Sequence, residues 1–384
     1  MITIHTGTKK LIEALSILKP LTDTSGRLPI LSNIRLKATA SGSQGDYVVL
    51  WAADFETVLR LRIPARVTGP GTILLPCASL IGILKTFPKG QDVMIRQDRD
   101  SILIESGTYE TRLPATDPSL YPESMGGQFP FRFAIDAPGM GRALDLTVPF
   151  SSKSEARKNL TGVHIVQDTG RATFTATDGH RLGRVLKEVD SVAAEKSETL
   201  IPQHALAVWR SALKWAGEKG KTVAVHYDDR QFVFMSESMV MTGRAVEGKF
   251  PDIDLMTPTG SSRSFEVDVT ALAGAVAGVE AMCGEKLKPI KITLEPDQLT
   301  AESEWTEYGN AKQTIPVKTH GDLKVEGKPF AIGFNAVYLS DVLKCANGHA
   351  VVRVGFNGAF DVSVWTFPEE PSFKVIVMPL RIEW

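Results

Sequence analysis

"TATDGH", residues 175–180, decides how this chain is read, because close echoes of it stand at equal distances on either side. "WAADFE" runs from Trp51 to Glu56 and "TAESEW" from Thr300 to Trp305. The acidic residues Asp54, Asp178 and Glu302 are 124 positions apart at each step. Further out, "LPCASLIGILKTF" (75–87) matches "IPQHALAVWRSALKW" (201–215), with Pro76 and Pro202 126 apart. "FNAVYLSDVLKCA" (334–346) supplies a third copy. Asn335 takes the proline position 133 residues on, and "EGKPF" (326–330) accounts for the extra length. "SLYP", "GKFP" and "VMP" end at Pro122, Pro251 and Pro379, 129 and 128 apart. A repeat of this length is a domain, not a solenoid unit. The expected domains are 1–128, 129–255 and 256–384.

Each copy carries the same pattern. A helix comes first: "TKKLIEALSILKPL" (8–21), "PGMGRALDLTV" (138–148) and "VTALAGAVAGVEAM" (269–282). Leu11, Leu15 and Leu18 fall on one helical face. Short alternating strands follow, such as "VVLWAADF", "LRLRIPARV" and "ATFTATD", then a second helix and more strands such as "VMIRQD" and "QFVFMSE". Two helices and about eight strands per copy predict an α+β class, with helices on one face of antiparallel sheet.

Composition sets the bounds. Of 384 residues, 43% are hydrophobic and 23% charged, enough to bury a core. Lys+Arg numbers 43 against Asp+Glu 44, so no global basic field marks a nucleic-acid partner, although a local patch or lined channel remains open. Cys77, Cys283 and Cys345 are odd in number and far apart, which argues against a disulfide framework and for reduced thiols in the cytoplasm. The N-terminus lacks a signal-peptide core, and "ALAGAVAGV" (271–279) is too short to span a bilayer, so no membrane role is expected.

"TATDGHRL" has the residue types of an active site, yet it reads as turn chemistry. Asp178 caps backbone N–H groups and Gly179 accepts positive φ. The flanking copies have neither histidine nor glycine at those offsets. No nucleophile motif accompanies His180, and the other histidines show no ligand spacing, so neither catalysis nor a metal or cofactor is expected. "GEKGKT" (217–222) resembles the end of a phosphate loop, but Trp215 stands where the first glycine should be. A helix precedes it and a strand follows, so it reads as a capped helix C-terminus.

Five ordered stretches carry a resemblance. "RLPILSNIRL" (27–36), "ATDGHRL" (176–182), "GKFPDI" (248–253), "IGFNAVYLSDVL" (332–343) and "VIVMPLRI" (375–382) resemble the bacterial DNA polymerase III β subunit, the sliding clamp family. The likeness covers the whole chain. It implies a non-catalytic processivity factor: a head-to-tail homodimer whose six domains close around double-stranded DNA. Helices would line the hole and sheets form the outside. The implied partners are the DNA polymerase III catalytic subunit, a clamp-loader ATPase and other proteins carrying a clamp-binding peptide motif. A monomeric module that binds peptides without closing a ring is the alternative.

The resemblance implies a peptide pocket from Leu160, Thr177, Gly179, His180, Arg181 and Leu182, with Pro251, Leu255 and Met256. The C-terminal stretch would add Ile376, Val377, Met378, Pro379, Leu380 and Arg381. The chain departs from the family pattern at Leu255, where an arginine is usual, and at Lys158-Asn159, where a tyrosine pair is usual. Glu383-Trp384 extends the C-terminus, and Trp384 could rest on the groove. For DNA, Arg210 and Lys214 form a basic stripe one helical turn apart, opposite Trp209 and Leu213. Lys10, Lys85 and Lys344 are further helical candidates, and Arg27, Lys153, Arg157 and Lys158 are candidates in loops or helix ends. Ring closure would set Thr111 and Leu113 against Ala281 and Met282.

Overall fold

The structure, a computed structural model, describes residues 2–23, 26–39, 46–122, 129–191, 195–217, 221–284, 288–305, 309–325, 328–346 and 348–381. Six α-helices lie among them: α1 (Thr8–Leu18), α2 (Cys77–Thr86), α3 (Ala137–Thr147), α4 (Gln203–Ala216), α5 (Val269–Glu280) and α6 (Ala336–Cys345). Leu11, Leu15 and Leu18 of α1 are fully buried, as their spacing predicts. The repeat extends to the caps. Pro76, Pro202 and Asn335 are the N-caps of α2, α4 and α6, and Asn335 accepts from the Val337 N–H at 2.9 Å. Asp136 accepts from Gly139 N–H ahead of α3, and Asp268 from Ala271 N–H ahead of α5. Gly217, in the left-handed conformation, ends α4, so the phosphate-loop likeness is a helix cap. Residues 218–220 of that stretch lie outside the described residues, as do Ile382, Glu383 and Trp384.

Packing divides the chain into two compact units. One comprises Met1–Leu144, Gln167–Arg171 and Glu188–Val246; the other comprises Asp145–Val166, Ala172–Lys187 and Glu247–Trp384. In the first, a nine-stranded antiparallel sheet joins the first repeat to the second. Strand Thr57–Pro64 pairs with Met239–Arg244, with Gly243 facing Thr57 and Met239 facing Leu61. In the second, strand Arg181–Glu188 of the middle repeat pairs with Phe373–Val377 of the last, Arg181 facing Val377 and Val185 facing Phe373. These two junctions repeat one another strand for strand.

Each unit also holds a five-stranded sheet. In the first unit it ends on Tyr109–Pro114, and in the second on Lys312–Pro316. Both end strands are largely exposed. The core of the first unit includes Trp209 and Phe234, with ring centroids 5.5 Å apart. That of the second includes Phe334 and Trp365, edge to face at 6.2 Å.

The tight turn after the repeated acidic residue is built alike in two copies. Asp54 Oδ1 accepts from the Glu56 and Thr57 N–H groups; Asp178 Oδ1 accepts from His180 and Arg181. The third copy departs from this. Glu302 lies within strand Gln298–Ser303, and its carboxylate pairs with Lys291 at 3.2 Å. The strand there continues past the acidic position to Ser303.

Candidate partner-binding site

"TATDGHRL" folds as a hairpin between strands Arg171–Thr177 and Arg181–Glu188. Gly179 sits at φ +90, which a side chain would strain, and the Arg157 guanidinium occupies the space a Cβ would need. Thr177 Oγ1 donates to the Arg181 carbonyl at 2.7 Å and accepts from the Gly179 N–H. The turn is therefore fixed by its own side chains before anything binds.

The C-terminal stretch lies directly beside it. Strand Phe373–Val377 pairs with Arg181–Glu188, and the Met378 N–H then donates to the His180 carbonyl at 2.9 Å. Leu380 N–H donates to the Gly333 carbonyl at 2.8 Å, which steers residues 378–381 across the end of the sheet. The two segments that the sequence singled out, about 200 residues apart in the chain, thus form one continuous surface.

Arg181 joins its parts. Its guanidinium donates to Asp178 at 3.0 Å, Asp341 at 2.8 Å and the Pro149 carbonyl at 3.3 Å, and it lies over the Tyr338 ring at 4.7 Å. The side chain is only 9% exposed. Its donors are committed to the scaffold, so its role here is to position the turn. Burial pushes the Asp341 carboxyl up, but hydrogen bonds from Arg181 and Lys344, with their charges, outweigh it and hold it below its ordinary value. Burial raises the Tyr338 hydroxyl, and the nearby Asp178 charge adds to this. His180 is exposed and stacks on Tyr338 with centroids 6.1 Å apart, leaving one ring face to solvent.

A groove of about 370 Å³ opens alongside, and among the expected residues Leu182 and Ile376 line it. Leu182, Arg184 and Leu186 alternate along one strand and face Ile376, Lys374 and Ser372 on the next. Arg184, Leu186, Lys374 and Val364 were not anticipated; the period-two alternation beyond Leu182 was the signal for the first two. Thr257 also lines the groove, just beyond the short helix Asp254–Met256. Arg184 pairs with Asp254 at 2.6 Å. Leu255 is 86% exposed and Met378 46%, so both offer apolar surface that the fold itself leaves uncovered. The Met256 side chain lies outside the described set.

Other expected residues serve as support. Val377 is fully buried and Leu160 nearly so, which places both beneath the surface. Pro251, Pro379 and Leu380 are half-buried, and Arg381 lies over the Phe360 ring at 5.4 Å. Asn159 donates to the Lys249 carbonyl at 3.0 Å, so it ties the "GKFP" segment to the loop before Leu160.

The basic candidates lie as follows. Lys10, Lys85 and Lys214 are exposed on α1, α2 and α4, and Arg210 is half-buried one turn before Lys214, opposite buried Trp209 and Leu213. Burial and then the Arg210 charge lower the Lys214 ammonium from its ordinary value, as expected for like charges sharing a helix face. Lys344 on α6 pairs with Asp341 at 3.0 Å. Arg27 and Lys153 are exposed in loops, and Arg157 and Lys158 on the short helix Glu155–Leu160. Among the described residues no cluster of His, Cys, Asp and Glu could hold a metal ion, and no helix is long and apolar enough to cross a membrane.

Comparison with known proteins agrees with this construction. Residues 2–125, 140–252 and 255–381 match the N-terminal, central and C-terminal domain models of the DNA polymerase III beta subunit. The beta sliding clamp of Caulobacter vibrioides is 28% identical over 97% of this chain and 98% of its own length. That of Synechococcus elongatus is 27% identical over 92% of each. The crystal structure of the Caulobacter crescentus beta sliding clamp superimposes with a TM-score of 0.87 at 26% identity, covering 99% of both chains. The Pseudomonas aeruginosa clamp bound to griselimycin gives 0.89 at 22% identity over 99% of this chain and 100% of that one. With all three domain models matched in order along the repeat, the chain belongs to the DNA polymerase III β subunit family, the sliding clamps.

Proposed function

We propose that the chain is a DNA polymerase processivity factor, a clamp that closes head to tail as a homodimer around duplex DNA and acts without catalysis. The observation that carries this reading is the pair of unfinished sheets. In both internal junctions a strand at the end of one half-sheet is completed by a strand from the next repeat. Tyr109–Pro114 occupies the position of Met239–Arg244 and Phe373–Val377 in its own half-sheet, and Lys312–Pro316 that of Thr57–Pro64 and Arg181–Glu188. A third junction is therefore half-built at each end of the chain. On this reading two protomers complete it twice and close a ring, where a heterologous contact whose rotation did not close would propagate a filament. Thr111 and Leu113 lie on one of these edges. Ala281 and Met282 lie at the end of α5, which packs against the other.

The basic helix faces would meet phosphates without reading sequence, which permits sliding. Lys10, Lys85, Arg210, Lys214 and Lys344 are assigned there, with Arg27, Lys153, Arg157 and Lys158 at the rim. The groove beside "TATDGHRL" would take short peptide motifs through a few buried apolar anchors. Its users would be the polymerase catalytic subunit, the clamp-loader ATPase and other DNA-processing proteins at the chromosome in the cytoplasm. Retention tests the whole reading. Loaded protein should stay on circular DNA at moderate salt and leave once the circle is linearised. Arg210→Ala with Lys214→Ala should lower the salt slope of DNA association by about one unit per lost contact. Equal retention on linear DNA with free ends would exclude encirclement.

A further inference from the structure

In the first unit, strands Asn33–Thr39, Tyr47–Ala53 and Thr57–Pro64 lie side by side. Leu36, Leu50 and Leu61 are register neighbours and fully buried, so the residues alternating with them face the other way. Two cross-strand rows result: Arg35 opposite Trp51 opposite Arg60, and Lys37 opposite Val49 opposite Arg62. Each row is cation, apolar, cation. The rows stand two residues apart along the strand, about 6.7 Å, and the cations of one row flank a central strand, roughly 9.6 Å from side to side.

These cations are held in place by rings. Arg35 and Arg60 both lie over Trp51, at 4.2 and 5.0 Å from its centroid, and Arg62 lies over Tyr47 at 3.6 Å. Arg35 Nε and Trp51 Nε1 are buried with no hydrogen-bond partner among the described residues. A cavity of about 460 Å³ covers the rows. Through Tyr47, Arg62 and Ser238 it borders a second of about 720 Å³, which reaches Lys10, Trp215 and Lys221. Lys10 lies 5.8 Å from the Trp215 ring. The two acids in the furrow are engaged: Asp46 accepts from the Val67 N–H at 3.2 Å, and Glu237 pairs with Lys221 at 3.1 Å. The whole chain carries a net charge of −1, so this concentration of positive charge is local.

We propose that this furrow binds single-stranded nucleic acid. The cations select an anion, and two rows at a regular spacing suit a polymer with regularly spaced charges. Tyr47 and Trp215 are half-exposed, and each stands beside a cation, Arg62 and Lys10, the combination on which bases stack while phosphates are neutralised. An acidic peptide would use the cations and leave the rings idle. The proposal rests on the clamp reading only in that a clamp meets nucleic acid. The furrow shares no residue with the peptide groove, and it extends past Lys10 along strands whose charges a sequence-independent DNA channel does not require.

The test uses the full chain and fluorescence anisotropy with labelled oligo(dT), a duplex of equal length and a poly-glutamate peptide. Lys37→Glu with Arg62→Glu should weaken oligo(dT) binding at least tenfold while leaving duplex association and the light-scattering mass unchanged. Lys37→Ala with Arg62→Ala should lower the salt slope by about 1.4, two single-strand phosphate contacts. Tyr47→Ala should weaken binding about fivefold or more, and Tyr47→Phe should restore it, which a purely ionic site would not show. Unchanged oligo(dT) affinity in the charge-reversed protein, with native circular dichroism, overturns the proposal. So does poly-glutamate that binds more tightly than oligo(dT) and is lost with the same residues. A monomeric mass with oligo(dT) binding still lost on charge reversal would defeat the clamp reading and leave this one standing.

Discussion

The internal junctions specify the register of the one between protomers. Within the half-sheets, Ile102 faces Leu113 as Phe232 faces Gly243, so Leu113 stands in the place of Gly243 and Thr111 in that of Met241. Ala301 faces Gln313 as Ala53 faces Val58, so Thr314 stands in the place of Leu59. Met241 faces Leu59. Thr111 should therefore face Thr314 of the partner subunit, with Cα atoms about 4.5–5.5 Å apart. That separation is inside the disulfide range. Thr111→Cys with Thr314→Cys should cross-link under mild oxidation to a covalent dimer of two 41.8 kDa chains on a non-reducing gel. Thr111→Cys with Gln313→Cys is the control, because a shift of one residue turns the side chain to the opposite face. Native thiols contribute little background. Cys77 and Cys345 are buried, burial pushes the Cys77 thiol up to about 11, and burial raises Cys283 as well. Energetically, Leu113 takes the place that fully buried Val377 fills in the second junction. Leu113→Asp with Met282→Asp should cost about 2 kcal/mol at each of two interfaces. That is about a thousandfold in dimer dissociation constant, read by light scattering. Equal cross-linking from the control pair, or none from Thr111 and Thr314 in a protein that remains dimeric, would refute the register.

Deleting residues 378–384 removes Met378, Pro379 and Leu380 from beside the turn and should lower affinity for a clamp-binding peptide at least tenfold, at about 25 cal/mol per Å² of apolar surface. The dimer should survive, and anisotropy with light scattering checks both. Gly183→Ala should destabilise the second unit by about 1–3 kcal/mol in denaturant unfolding, because a Cβ there would meet the Phe150 ring and the Leu146 carbonyl at 3.0 Å. The Asp341 carboxyl is held below its ordinary 3.8, so its contribution is present above that pH and lost as pH falls through the lower folded value. Asp341→Asn should therefore flatten the acid limb of stability below about pH 4 in a thermal-melt series, while its neutral-pH melting temperature drops through the loss of Arg181's partner.

Much of this was legible in the chain. The helix pairs were visible because apolar residues recur at helical spacing, Leu11, Leu15 and Leu18 most plainly, and because Pro76, Pro202 and Asn335 recur ahead of the second helix of each repeat. The turn at Asp178 was visible because Asp-Gly chemistry is local. What could not be read was anything set by pairing between distant strands. Nothing near Arg181 in sequence announces Asp341 or Tyr338, so a residue that resembles a ligand handle proved to be a buried joint. Arg184 and Leu186 lie beyond the motif's last letter, where only the continuing alternation along the strand points to them. The rows around Trp51 were missed for a related reason. Arg35, Trp51 and Arg60 lie on three strands, and only register places them together.

The second junction and the groove are parts of one strand's course. Phe373–Val377 completes the sheet between the middle and last repeats, and the next residues leave it to form the wall beside His180. The wall's position therefore depends on the junction's register. A slip of one residue would turn Ile376 inward and Val377 outward. Arg181 resists such a slip, since it is paired in register with Val377 while its guanidinium holds Asp178 on the turn and Asp341 on α6. A peptide bound as proposed would meet a surface fixed by the same contacts that join two repeats. Substitutions at Arg181 should weaken binding and stability together, whereas those at exposed Met378 or Leu255 should weaken binding alone. Separating these two classes by melting temperature and peptide affinity on the same proteins distinguishes a groove built on the junction from one that merely lies near it.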